Sequence, residues 1–143
     1  MDWDDLRKLE GSGWEIGGHT VSHRHLDNLD DASACAEILM GKLEIEENIN
    51  RKLRTFCYPA GLFNSATPGF VRAAGFSGAC TVRTGMVNIN QDPFLLPRIK
   101  IAYKDGITGL LYRMLLRPSM PNLRPNRRSH RIPLPVYTAN ISE

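Results

Sequence analysis

No apolar run in the 143 residues approaches the roughly 18 that a membrane-spanning helix needs. The opening stretch, MDWDDLRKLE, is acidic and lacks the basic-then-apolar layout of a secretory leader, so a cytoplasmic chain is expected. Cysteine is scarce. Cys35, Cys57 and Cys80 are odd in number and form no CxxC, which excludes a disulfide framework and a zinc ribbon. Cys57 and Cys80 lie in apolar, strand-like runs and read as small buried hydrophobes. Acid is almost missing from the later part of the chain, with none between Asp105 and Glu143. Residues 1–50 carry twelve acidic and four basic side chains, and residues 51–143 carry three and fourteen, so the net charge of +3 hides a strong asymmetry. An anionic partner for the basic part and a merely solvated basic tail both fit that split.

What is present suits one globular domain: 42% hydrophobic and 23% charged residues in a length that supports a real core. Trp3, Leu6 and Leu9 share a stripe and predict a short helix over 3–10. Residues 14–18 alternate like a strand and end in Gly17-Gly18. Asp30 or Asp31 caps a long helix reaching about residue 50, with an imperfect stripe at Ile38, Leu39, Lys42, Leu43, Ile45 and Ile49. Residues 54–58 read as a strand stopped by Pro59. A helix over 66–74, a strand over 77–82, a loop over 83–94, a strand over 95–102 with Pro97 inside it, and an apolar helix over 107–116 follow. Helices alternating with strands predict an α/β fold with a mostly parallel sheet and crossover helices. Only about four strands are found. A closed eight-stranded barrel takes roughly 200 residues or more, so the choice is a small open sheet or part of a larger barrel. From Pro118 onward prolines interrupt every helix, and residues 118–143 read as a Pro/Arg-rich tail behind a domain at 1–117.

Two constellations could carry chemistry. In Gly17-Gly18-His19-Thr20-Val21-Ser22-His23, two histidines at i and i+4 face one way if the segment makes a helical turn, and such imidazoles can share a metal ion. His19 would then stand at the C-terminal end of a strand, where α/β sheets build sites. Two histidines in a polar loop are often only solvated, so the pair alone is a weak signal. His25 has the wrong spacing to join them, and His130 lies in the tail. In Phe56-Cys57-Tyr58-Pro59-Ala60-Gly61, a strand runs into a tight turn whose backbone N–H groups could hold an oxyanion. A plain strand-to-loop turn fits as well.

Taken in order, the run resembles the polysaccharide deacetylases, also called the NodB-homology family or carbohydrate esterase family four. The carriers are Trp-x2-Leu, Gly-x-x-Ile-Gly-x-His-Thr-x-x-His-x-x-Leu, a long Glu-rich helix, Phe-x-Tyr-Pro-x-Gly, Ala-Gly-Phe and Leu-Pro-Arg-Ile, spread over residues 3–101. The resemblance implies a partial, distorted (β/α) barrel and a metal-dependent hydrolase that removes acetyl groups from N-acetylated sugars or polysaccharides. It implies a divalent metal, most simply zinc, on His19 and His23. It also implies an oxyanion-facing N–H at Ala60 and a groove wall at Tyr58 and Pro59. Arg98 could do the charge-orienting job of an arginine that many members carry and this chain lacks; a surface or structural arginine fits as well.

Three departures qualify that expectation. The family's paired aspartates, which serve as base and third ligand, have no counterpart; Asp4-Asp5 lies on the first turn of an amphipathic helix. Cys57 stands where many members have arginine. The late Leu-x-His that supplies the general acid is not found. The chain is therefore expected to be an incomplete deacetylase with an exposed sheet edge open to self-association. The alternatives are a catalytically inactive carbohydrate-binding remnant, or an anion-binding module using Arg124, Arg127, Arg128 and Arg131. A nucleic-acid partner has little support from four arginines and one nearby aromatic, Tyr137.

Overall fold

A computed structural model gives the structure, and it describes residues 1–115. The Pro/Arg-rich segment, His130 and the boundary at residues 117 and 118 lie outside the described residues.

The order of elements is helix α1 (Trp3–Gly11), helix α2 (Asp31–Ile49), strand β1 (Thr55–Cys57), helix α3 (Thr67–Ala73), strand β2 (Gly78–Thr84), strand β3 (Leu96–Arg98) and helix α4 (Gly106–Leu115). The three strands form one parallel sheet in the order β1-β2-β3. The expected α/β architecture with crossover helices is what forms: a partial barrel-type sheet. Among the described residues, no helix is long and apolar enough to cross a membrane.

Two expected strands are shorter than their sequence patterns. Residues 14–18 make only a single parallel bridge, Gly18 to Phe56, instead of a strand. The Gly18 amide donates to Thr55 O at 2.8 Å and its carbonyl accepts from the Cys57 amide at 2.9 Å. A Cβ on Gly18 would stand 2.7 Å from the Phe76 ring, so only glycine lets the chain run this close to the core. The strand expected over 95–102 shrinks to Leu96–Arg98. Pro97 has no N–H to donate, and the β2–β3 register is irregular between Cys80 and Thr84.

Helix α2 carries the crossover. Asp30 caps it by accepting from the Ser33 amide at 2.9 Å and the Ser33 hydroxyl at 2.7 Å. Asn50 ends it in the left-handed conformation. Its buried face is Ala34, Ile38, Gly41, Lys42, Glu46 and Ile49, whereas Leu39 and Leu43 of the expected stripe are exposed. That face meets Phe56 and Tyr58 of the β1 region, Val71 of α3, Phe76 and Ala79 in one apolar core. Alternation then puts Thr55, Cys57, Cys80, Val82 and Thr84 on the opposite side of the sheet, where they are half-buried or exposed.

Near the end of α2, Glu46 is buried with three donors: Lys42 Nζ at 2.7 Å, the Leu53 amide at 2.8 Å and Lys52 Nζ at 3.0 Å. Burial pushes its pKa up, but these hydrogen bonds outweigh burial and hold it down at about 2.

Replacing Glu46 by Ala strands Lys42 and the Leu53 amide and should cost on the order of 3 kcal/mol, read from urea unfolding. Because the folded pKa is depressed, the Glu46 contribution is fully present above the ordinary value of 4.5. It fades as pH falls toward about 2. A Glu46→Ala variant as stable as the parent at pH 7 would contradict this account.

Candidate functional site

The C-terminal ends of the strands gather the residues singled out by sequence. After Gly18 the chain turns away from β1, and His19 folds back over it. His19 Nδ1 lies 2.6 Å from the carbonyl oxygen of Cys57. A carbonyl only accepts, so Nδ1 must carry the proton when the ring is neutral, which leaves the Nε2 lone pair outward. The His23 ring centroid is 4.8 Å from that of His19, at an interplanar angle of 77°.

The two rings do not meet through a helical turn, as the i, i+4 spacing suggests. Thr20 and His23 both adopt left-handed backbone conformations, with φ of 65° and 58°. The His23 amide donates to Thr20 Oγ1 at 3.1 Å. Left-handed conformations at residues with a Cβ cost roughly 1–2 kcal/mol each, so the surrounding structure has to impose them. Helix α2 approaches the same loop through Glu37 and Gly41, neither of which stands out in the sequence. No local signal could have marked Glu37: its partners, Val21 and Ser22, lie 16 and 15 residues away.

Arg98, at the end of β3, reaches toward β1 and places Nη2 3.0 Å from Cys57 Sγ. Burial raises the Cys57 pKa, and Arg98 pulls it partly back. Ala60 sits in a short 3-10 turn, Pro59–Gly61, with φ of 52°, and it is exposed. Its amide donates no hydrogen bond within the described residues.

Tyr58 and Pro59 depart from the expected groove wall. Both are fully buried. The Tyr58 hydroxyl donates to Phe94 O at 2.9 Å, and its ring packs on Phe56 and Phe63. Burial, with the Asp92 charge adding to it, raises the Tyr58 pKa, so the phenol stays neutral. These two residues hold the Ala60 turn up from the core side and present no face to a ligand.

Among the described residues, no group of three or more His, Cys, Asp or Glu side chains is arranged to hold a metal ion. The carboxylates flanking β3 and α4 are engaged locally. Asp92 accepts from the Phe94 amide at 2.9 Å and pairs with Arg72 at 3.5 Å. Asp105 pairs with Arg113 at 2.7 Å. His25 is exposed beyond the loop. The donor set among the described residues is therefore a pair of imidazoles, a ligand type that suits zinc but only half fills its coordination shell.

Comparison with known proteins matches residues 1–79, more than half of the chain, to the polysaccharide deacetylase family model. The Bacillus subtilis (strain 168) protein YxkH, assigned by name to the polysaccharide deacetylases, is 21% identical over 106 residues. That match spans 74% of this chain and 37% of YxkH. The deacetylase PplD of Streptococcus pyogenes, solved in complex with acetate, superposes with a TM-score of 0.76 at 20% identity. The superposition covers 80% of this chain and 50% of PplD. BA3943 of Bacillus anthracis, a CE4 family pseudoenzyme, gives a TM-score of 0.51 at 18% identity over 54% of this chain and 27% of its own. The chain thus spans half or less of the length of these three relatives.

The Cys57 carbonyl predicts one tautomer. Long-range 1H–15N correlation on the neutral ring should find His19 protonated on Nδ1. A neutral His19 protonated on Nε2 would mean that this hydrogen bond does not form.

Proposed function

This chain belongs to the polysaccharide deacetylase family, and from that premise we propose that it is the metal-holding part of a hydrolase that removes acetyl groups from N-acetylated sugars. The observation that carries this reading is the paired imidazoles at the strand ends, one with its tautomer fixed by a backbone carbonyl. A backbone carbonyl accepting from the other ring nitrogen is what metal-binding histidines ordinarily have. In this reading His19 and His23 hold a divalent metal, zinc being the natural choice for imidazole ligands. When bound, such an ion polarises a carbonyl and lowers the pKa of water.

The remaining roles belong to the chain itself. In this reading the Ala60 N–H, which donates no hydrogen bond within the described residues, receives the oxyanion of a tetrahedral intermediate, with the buried Tyr58 and Pro59 beneath the turn. Arg98 supplies a positive charge beside Cys57, the position at which the family resemblance leads one to expect an arginine. It is assigned to orient charge and moves no proton. The described residues offer no base, third ligand or acid in contact with the imidazole pair.

A second reading, an inactive carbohydrate-binding remnant, draws support from the incomplete donor set and from the likeness to a pseudoenzyme. Both readings place the substrate-facing residues in 1–117 and give the Pro/Arg-rich segment 118–143 no part in the site.

Zinc titration by calorimetry, paired with acetate release from N-acetylglucosamine oligomers, separates these readings. The expected result is weak zinc binding that His19→Ala or His23→Ala abolishes. Absence of a positioned base alone removes about 10²–10⁴-fold in rate, so acetate release should be slow or undetectable. Oligosaccharide binding without zinc binding would favour the remnant. Robust His19-dependent turnover would show that a further carboxylate completes the site.

A further inference from the structure

We propose that Glu37 is the positioning residue of the histidine loop, setting the separation of the two imidazoles before any ligand arrives. Its carboxylate accepts three hydrogen bonds from that loop: from the Val21 amide at 3.1 Å, the Ser22 amide at 3.0 Å and the Ser22 hydroxyl at 2.5 Å. Val21 and Ser22 are the two residues between left-handed Thr20 and left-handed His23. Consecutive amides in such a turn point to one side and form a small anion-binding concavity, and here a carboxylate of the same chain fills it.

The helix backbone limits the loop on its other side. One turn beyond Glu37, a Cβ on Gly41 would stand 2.8 Å from the Thr20 carbonyl carbon and 3.0 Å from its oxygen. The loop is thus drawn in by Glu37 until it touches bare helix backbone. Neither contact involves an imidazole, so both rings stay exposed and outward. Burial works against the Glu37 charge, but the hydrogen bonds from Ser22 and Val21 outweigh it, and the pKa is lowered. The acceptor is therefore ionised at neutral pH, the state in which it accepts from all three donors. In metal sites, residues that orient the ligands from behind often change affinity by 10–100-fold when removed.

The link to metal affinity rests on the function proposed above; the link to loop geometry does not. The test uses the full chain with Glu37→Ala and Glu37→Gln, and Glu47→Ala as an exposed control on the same helix. Amide exchange by NMR reads the loop directly. Val21 and Ser22 should exchange at least about ten times faster in Glu37→Ala, less so in Glu37→Gln, and unchanged in Glu47→Ala. Cobalt(II) absorption then reads the imidazole pair, with apparent affinity expected to fall about 10-fold or more in Glu37→Ala. Unchanged exchange at Val21 and Ser22 would overturn the proposal. Faster exchange with unchanged cobalt affinity would also overturn it, leaving Glu37 a loop tether without influence on the rings. If the parent chain shows no His19-dependent cobalt signal, the metal reading falls, and the exchange data alone decide whether Glu37 sets the loop.

Discussion

Glu46 is a carboxylate taken out of water, and the chain around it is arranged to keep it charged. Lys42 reaches it from one turn earlier on the same helix, and the Leu53 amide reaches it from the segment that leads into β1. The second contact is the more consequential. It fixes where the chain leaving α2 turns back, and therefore where β1 begins relative to the helix that covers it. Phe56 and Tyr58 then fall on the helix side and Cys57 on the open side. A buried ion pair is a poor source of net stability compared with apolar packing, but it strongly opposes alternatives that would leave either charge unpaired. Here the excluded alternative is a slip of β1 by one residue, which would exchange its two faces.

Much of the frame was legible from the chain. The Asp30 cap, the length of α2 and the stop at Pro59 each have local causes, and local causes are written in local sequence. The parallel order of β1, β2 and β3 followed from helices alternating with strands. Three features were not legible, each for a tertiary reason. The strand pattern at 14–18 is real, but Gly18 meets its neighbour at one bridge only. Leu39 and Leu43 match the helical period of the core face, yet that face is wider toward Ala34 and Gly41, because α2 lies against the histidine loop as well as the sheet. Tyr58 reads as a groove residue from its motif, whereas burial against Phe56 and Phe63 makes it a pillar.

The histidine pair shows how a sequence pattern and its physical realisation can differ. Spacing of i and i+4 brings side chains together on a helix, and the rings of His19 and His23 are together. The backbone between them is not helical. Two left-handed residues produce the same proximity in a tight loop. Such conformations leave only a faint mark in sequence outside glycine, a modest enrichment of Asn, Asp and His, because they are imposed by contacts from elsewhere. The price of that arrangement is borne by α2, whose helix backbone and carboxylate hold the loop in place.

Cys57 takes part in the site twice, through atoms of different standing. Its carbonyl oxygen meets the His19 imidazole, and its sulfur meets the Arg98 guanidinium. Every amino acid has a carbonyl, so the first contact survives any side chain that keeps β1 in its course. The second contact belongs to the thiol alone. Position 57 therefore separates two kinds of inheritance. The orientation of the imidazole follows from the path of the strand, while the side chain that meets Arg98 can be rewritten by a single codon. A lineage can try cysteine, arginine or alanine there and vary the charge around the site without releasing the ring that the site is built on.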